Sequence, residues 1–480
     1  MAASSVMYSF RASRKVLSRV SKNTLAKVLG AKQYSHAVSY QETLGIPDPR
    51  TTTLKNRLRV ATEENHSGSA TVGLWVDVGS RYETASSNGA THLLEHLLFK
   101  GTPRRSQLDL ETEVDNLGMN LNSYVGRDHM AIFAKCLSRD VPKAVEILSD
   151  LVQNNVFSDA DIDREKHVLL NELDASGDDL TTVVMDYLHA TAYQGTSLSR
   201  SVLGTTESIK SLSKKDLDSL HKTYVKPSRM VLAGAGGVSH EQLVSLGEKH
   251  FGGMSLNYDE GIPIIPPSRF TGSEIRARYD DEPLVHIAMA IEGPGAASED
   301  NLPLQVALTL VGNYDKTFAG GKNLANRVAL ASAHDGLAHA FQSFNLTYQG
   351  TGLWGAYFVC DKLTVADFFF NLQGEWMRLC TSVTDSDVER AKNTLKTSLF
   401  GHLSDTTLTC DDVAKQALFL GRRVSYEEFE NRLNSIDAST VRDVAYKYIY
   451  DKCPAVACYG PTEQVPDYNR VRGSMYWLRY

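Results

Sequence analysis

The sequence predicts an α+β fold made of two homologous domains from an internal duplication, each a mostly antiparallel sheet with helices packed on one face. Three observations predict it. Segments recur at an offset near 224 residues; apolar runs of strand type alternate with amphipathic stretches of helical period inside each copy; and a proline-bearing stretch separates the copies.

In chain order, the first 41 residues hold seven Lys or Arg and no Asp or Glu, the composition of an amphipathic matrix-targeting presequence. Lys32-Gln33-Tyr34-Ser35 places the cut after Tyr34, so residues 1–34 form the presequence, and its removal moves the formal net charge from −7 to −14. Its basic residues are spread out, unlike the dense run of a nucleic-acid-binding arm. The acidic remainder suits basic peptides as ligands, although net charge by itself locates no site.

Residues 40–260 form the expected N-terminal domain. Met130–Cys136 reads as a strand and residues 140–154 as an amphipathic helix; Trp354–Cys360 and a helix over 364–380 echo them. Asp163-Arg164 recurs as Glu389-Arg390, and the strand Val231–Gly236 as Ala455–Gly460. Residues 261–273, with Pro263, Pro266 and Pro267, form the expected linker because proline favours an extended chain. Residues 274–480 form the C-terminal domain.

Composition excludes several classes. With 42% hydrophobic and 22% charged residues over 480 positions, the chain has material for two or more cores. No apolar run reaches the 18 or so residues that span a bilayer. Six cysteines, none in a CxxC pair, read as buried or free thiols in a reducing compartment, and they lack haem or iron–sulfur spacing. Gly234-Ala235-Gly236-Gly237 lacks the third glycine and acid of a dinucleotide fingerprint, and Gly320-Gly321-Lys322 has Lys316 and Asn323 where a P-loop needs Gly and Ser or Thr. Both are read as turns.

The stretch that carries chemistry is His92-Leu93-Leu94-Glu95-His96. Residues four apart share a helix face, so His92 and His96 can present imidazoles to one tetrahedral zinc. The order is HxxEH. Zinc lowers the pKa of a coordinated water to roughly 7, and a carboxylate in Glu95's place can take that water's proton. A third protein ligand must come from elsewhere. Glu165 and Glu172, seven apart on the helix expected over Asp161–Glu172, are the candidates.

The string Gly89-Ala90-Thr91-His92-Leu93-Leu94-Glu95-His96-Leu97-Leu98-Phe99-Lys100-Gly101-Thr102, with a glutamate 76 positions after His96, resembles the pitrilysin and insulinase type of zinc metallopeptidase, in its mitochondrial branch. The match extends from about residue 40 to the end. The resemblance implies that His92, His96 and Glu172 ligate zinc, that Glu95 is the general base and that Glu165 supports the site. It also implies that Asn120–Tyr124 is the edge strand on which a peptide adds through main-chain hydrogen bonds, with Asn122 and Ser123 orienting it. No HxxEH occurs in the second half, where Ala391 and Ser398 stand opposite Glu165 and Glu172. From that half Phe344 and Tyr348 are the candidates for substrate contact, although aromatics at strand period also mark a buried face.

The branch holds both core subunits of respiratory complex III and subunits of the presequence-processing peptidase. Glu463–Tyr480, Glu292–Gly295 and Gly312–Asp315 are similar to the core type; the intact HxxEH and Gly352–Gly355 are similar to the peptidase type. The expectation is a matrix-side, peripheral core subunit of complex III that keeps a peptidase site, the alternative a dedicated catalytic β subunit of the matrix peptidase. Implied partners are core protein 2 or an α-type subunit, cytochrome b and basic presequence peptides, with no nucleic acid. In the family a glycine-rich substrate loop belongs to the α-type partner, and the loop near Gly320 is too short to replace it, so activity of the isolated chain is not expected.

Overall fold

The computed structural model describes residues 48–65, 67–258, 262–317 and 323–476. The presequence with its cut, the first residue of the linker, the Gly320-Gly321-Lys322 turn and the last four residues of the terminal segment lie outside the described residues.

The first half runs β1 (Arg50–Thr53), β2 (Arg59–Glu64), β3 (Ser69–Val76), α1 (Ala90–Leu98), α2 (Gln107–Asn116), β4 (Asn120–Val125), β5 (Met130–Leu137), α3 (Val141–Gln153), α4 (Asp159–Ser176), α5 (Leu180–Ala192), α6 (Thr206–Ser211), α7 (Lys214–Tyr224), β6 (Met230–Gly236) and α8 (His240–Phe251). The second half runs β7 (Glu274–Arg278), β8 (Val285–Gly293), α9 (Asn301–Val311), β9 (Asn313–Asp315), α10 (Arg327–Asp335), β10 (Ala340–Thr347), β11 (Gly352–Cys360), α11 (Val365–Thr381), α12 (Asp385–His402), α13 (Thr406–Phe419), α14 (Tyr426–Asn434), α15 (Ala438–Tyr448), β12 (Ala455–Gly460) and α16 (Tyr468–Gly473). Residues 262–273 carry no helix or strand.

Among the described residues these strands form two six-stranded sheets, in the orders β1-β2-β6-β3-β5-β4 and β7-β12-β8-β11-β10-β9. All pairings are antiparallel except β2 with β6 and β7 with β12. The fold is α+β, as the alternating patterns imply. The turn expected over Gly234–Gly237 starts later, because β6 pairs with β3 through to Gly236. Gly234 serves the packing there: a Cβ would lie 2.9 Å from Leu243.

Each half's own helices pack on one face of its sheet, as expected, and the other face takes a helix from the opposite half. Val72, Leu74 and Val76 of β3 with Met130 and Ile132 of β5 point into the first half's own core, against Leu93, Leu94, Leu97 and Leu148. The opposite face of the same sheet, Ala61, Trp75, Ala131, Val231, Ala233 and Ala235, is covered by Cys410, Val413, Ala414 and Ala417 of α13, a helix of the second half. The second sheet mirrors this: Ala288, Ala290, Leu353, Ala455 and Ala457 lie under Val184, Leu188 and Ala192 of α5, from the first half. The halves therefore exchange one helix each. Period two explains how one strand serves both faces. The inward positions are mostly large aliphatic residues and the outward ones mostly alanine, which lets a helix backbone approach closely.

A buried ion pair adds a second tie. Arg81 lies 3.2 Å from Asp128 and donates to the Gln349 carbonyl at 3.0 Å, while the Gln349 amide donates to Asp128 at 2.8 Å.

Candidate metal centre

Helix α1 begins at a fixed point. Gly89 holds φ at +90°, a conformation glycine adopts without penalty, and the buried Glu83 carboxylate accepts from the Gly89 amide at 2.8 Å and the Thr91 amide at 2.7 Å. It also accepts from Asn88 Nδ2 at 2.8 Å. Glu83 thus satisfies amides left open by the helical pattern and sets a negative charge at the positive end of the helix. Burial pushes its carboxyl pKa up, and these hydrogen bonds oppose that. Leu93, Leu94, Leu97 and Leu98 are buried, each to 1% exposure or less, and burying each contributes about 1.5–3 kcal/mol. With that face committed, the histidines and Glu95 occupy the rest of the helix surface.

Helix α4 supplies the other side. Ser158 caps it by accepting from the Asp161 amide, Ile162 and Leu169 anchor it in the core, and Glu165 and Glu172 reach toward α1. His92 Nε2 lies 3.7 Å and His96 Nε2 3.5 Å from Glu172 Oε2. His92, His96 and Glu172 each offer a ligand atom within 4.8 Å of the others. A tetrahedral zinc with bonds of roughly 2.0–2.1 Å sets its ligand atoms about 3.3–3.4 Å apart, so this donor set fits the ion with small side-chain adjustments.

The surroundings orient the set. His96 Nδ1 lies 3.2 Å from Glu165 Oε2, and Lys100 Nζ neutralises the same carboxylate at 2.9 Å. A carboxylate on one imidazole nitrogen fixes the proton there and leaves the other nitrogen's lone pair for a metal. His92 is driven toward its neutral, ligating form: burial, then the neighbouring His96, lowers its pKa to about 4. Its Nδ1 is buried with no hydrogen-bond partner among the described residues.

Glu95 points toward β4, where the Ser123 hydroxyl donates to its Oε1 at 2.7 Å. Burial, with a smaller push from Glu172, raises its pKa, while Ser123 and His96 oppose the rise. Among the described residues β4 is one of the two edge strands of its sheet. Asn122 on it is exposed and bonds Asn120 at 2.8 Å.

The structure therefore brings together Glu95, His92, His96, Glu165, Glu172 and Ser123. It places Phe344 and Tyr348 elsewhere, against the cluster between α5 and the second sheet, where Tyr348 bonds His189 Nε2 at 2.7 Å. Among the described residues no second group of metal-type side chains converges. Sequence reasoning missed Glu83 and Lys100. An acid ahead of a helix start is a weak general signal for the first; nothing in the spacing marks the second.

A half-buried His, His, Glu set, with the Glu95 carboxylate one position before His96, is the kind of donor set a metallopeptidase uses. The chain belongs to the insulinase peptidase family, M16: the family model "Insulinase (Peptidase family M16)" matches residues 59–206 and "Peptidase M16 inactive domain" matches residues 211–395. The chain is 49% identical over 449 residues to the mitochondrial-processing peptidase subunit beta of Bos taurus, covering 94% of this chain and 92% of that one. It is 47% identical over 482 residues to cytochrome b-c1 complex subunit 1, mitochondrial, of the same organism, covering the whole of both chains. Its fold matches a chain of "Complex III2 from Candida albicans, Inz-5 bound" with a TM-score of 0.79 at 27% identity, over 89% of this chain and all of that one.

Proposed function

We propose that this chain is a matrix-side core subunit of mitochondrial ubiquinol-cytochrome c reductase, complex III, with a structural and assembly role, and that it keeps a zinc metalloendopeptidase site for presequence processing with a related partner subunit. The observation that carries the reading is the end-to-end likeness to a cytochrome b-c1 complex subunit 1, which covers all of both chains. The match to a complex III chain supports it. Among the described residues no helix is long and apolar enough to cross a membrane, which suits a peripheral subunit held through partners such as cytochrome b and core protein 2. Residues 1–34 are its import presequence.

For the peptidase site, His92, His96 and Glu172 would hold zinc, which supplies Lewis-acid activation of a water and of the scissile carbonyl when bound. The chain's own groups do the remaining work. Glu95, with its raised pKa, takes a proton from the attacking water and returns it to the leaving amine. Ser123 holds that carboxylate in place. The outer edge of β4 pairs with the peptide main chain, and Asn122 and Ser123 orient it. The second reading, a dedicated catalytic β subunit of the matrix processing peptidase, is favoured by the 49% likeness to those subunits and by the complete ligand set.

Two measurements test this. In a gently solubilised mitochondrial extract the chain is expected to migrate with cytochrome b; a chain found only in the soluble matrix with an α-type partner would favour the second reading. In the purified complex, Glu95→Gln is expected to keep its zinc while presequence cleavage falls about 10²–10⁴-fold. A wild-type complex that cleaves nothing leaves only the structural role.

A further inference from the structure

Tyr124 on β4 is anchored by the other half of the molecule. β4 residues alternate faces: Ser123 turns inward to Glu95, and Tyr124 turns outward to α13. There its hydroxyl donates to Asp411 Oδ1. That uses the hydroxyl's only proton, so Trp75 Nε1 and His129 Nε2, each 3.2 Å away, donate to its oxygen. Trp75 Nε1 also reaches Asp411 Oδ1 at 3.0 Å. This fixes the neutral His129 tautomer, whose unprotonated nitrogen is the buried Nδ1 that has no hydrogen-bond partner among the described residues. Asp411, Lys415 and Phe419 stand four apart on one face of α13: Lys415 Nζ lies 2.7 Å from Asp411 Oδ2 and 5.3 Å above the Tyr124 ring, and Phe419 meets His129 edge-on at 5.8 Å.

The internal repeat shows the same device once more. Tyr348 lies 224 residues after Tyr124 and bonds His189 of the crossing helix α5. Each half's tyrosine is thus tied to the helix contributed by the other half, and the first half's tyrosine lies on a strand that runs beside a carboxylate placed as a base.

Resting on the peptidase reading above, we infer that Asp411 is a positioning residue: through Tyr124 it pins the outer face of β4, so that Ser123 and the peptide-pairing edge keep their place beside Glu95. A strand at a sheet edge is hydrogen-bonded on one side only, so a clamp on its outer face limits how far it can move. Asp411 does not touch the reacting groups.

The test uses the complex purified with its partner subunit, carrying Asp411→Ala, Asp411→Asn or Tyr124→Phe. Asn keeps an Oδ1 acceptor for Tyr124 and Trp75. The expected result is an approximately ten-fold rise in KM for a presequence peptide in the Ala variant with kcat changed far less, the signature of lost uniform binding, and recovery to within about three-fold in the Asn variant. Hydrogen exchange of the β4 amides, residues 120–125, is expected to speed up in the Ala and Phe variants and not in Asn. Exchange needs no catalysis, so if the wild-type complex cleaves nothing, the peptidase reading fails and exchange alone decides the anchor. Unchanged exchange overturns the inference, as does faster exchange with an unchanged KM in a cleaving complex. Should Asp411→Ala fail to fold, Tyr124→Phe, which removes one oxygen, carries the test.

Discussion

At His96 the imidazole is held from both ends, with Glu165 at Nδ1 and the Glu172 carboxylate facing Nε2. Removing the first partner while keeping its shape separates orientation from ligation. Glu165→Gln is expected to weaken zinc binding about 10–100-fold, the usual effect of losing a carboxylate behind a ligating histidine, with the fold intact; metal retention during titration with a chelator checks it. The variant also frees Lys100, whose ammonium otherwise pairs with Glu165. His92, His96 and Glu95 were legible in the sequence because one helix turn places them by spacing alone. Glu165 and Glu172 were legible as a pair, but their division of labour depended on how α4 lies across α1. Ser123 entered as a substrate contact; its bond to Glu95 depends on strand β4 passing beside helix α1, which no local pattern encodes.

At the scale of elements, α1 is a short helix whose start is over-determined. Its nine residues are too few to be stable alone, so the buried leucines and the Glu83 cap must hold it. Glu83→Ala leaves the Gly89 and Thr91 amides without their acceptor and takes one of the two acceptors of the Asn88 amide group, which keeps the Ser201 carbonyl, and at about 1 kcal/mol for each hydrogen bond lost the expected loss is about 2–3 kcal/mol. Urea unfolding midpoints measure it, and an unchanged midpoint would show that water replaces the cap. Strands β5, β11 and β12 and helices α3, α4 and α11 fall within a few residues of their expected places, because each combines a clear period with a long apolar face. β6, read over Val231–Gly236, begins one residue earlier. Its glycines look like a turn, yet Gly234 is needed where Leu243 and Val238 press on the strand.

At the scale of the molecule, the exchanged helices α5 and α13 join the halves, and His189 reports on that joint. Its Nδ1–H donates to the Met185 carbonyl at 2.6 Å and its Nε2 accepts from Tyr348 at 2.7 Å, so it folds neutral. Burial, and then the charge of Arg127, holds its pKa well below the ordinary 6.5. The unfolded chain binds a proton there below about pH 6.5 and the folded chain does not. The contribution of His189 is therefore complete above pH 6.5 and is lost as pH falls toward the folded pKa, at up to about 1.4 kcal/mol per pH unit. Stability measured between pH 6.5 and 5 is expected to fall less steeply in His189→Gln than in the parent; equal slopes would refute the assignment.

The amino-acid order by itself determined the duplication, the class of each half and the metal-type motif, since repeats, periodicity and one-turn spacing are all local properties of a chain. Only the tertiary structure decided which half each crossing helix covers, what caps α1 and what holds β4. Those depend on contacts between residues far apart in sequence, such as Trp75 with Asp411 and His189 with Tyr348. A helix with one apolar face carries no mark of which sheet will bury it; the alanine-lined outer faces receive these two because the fold brings them there.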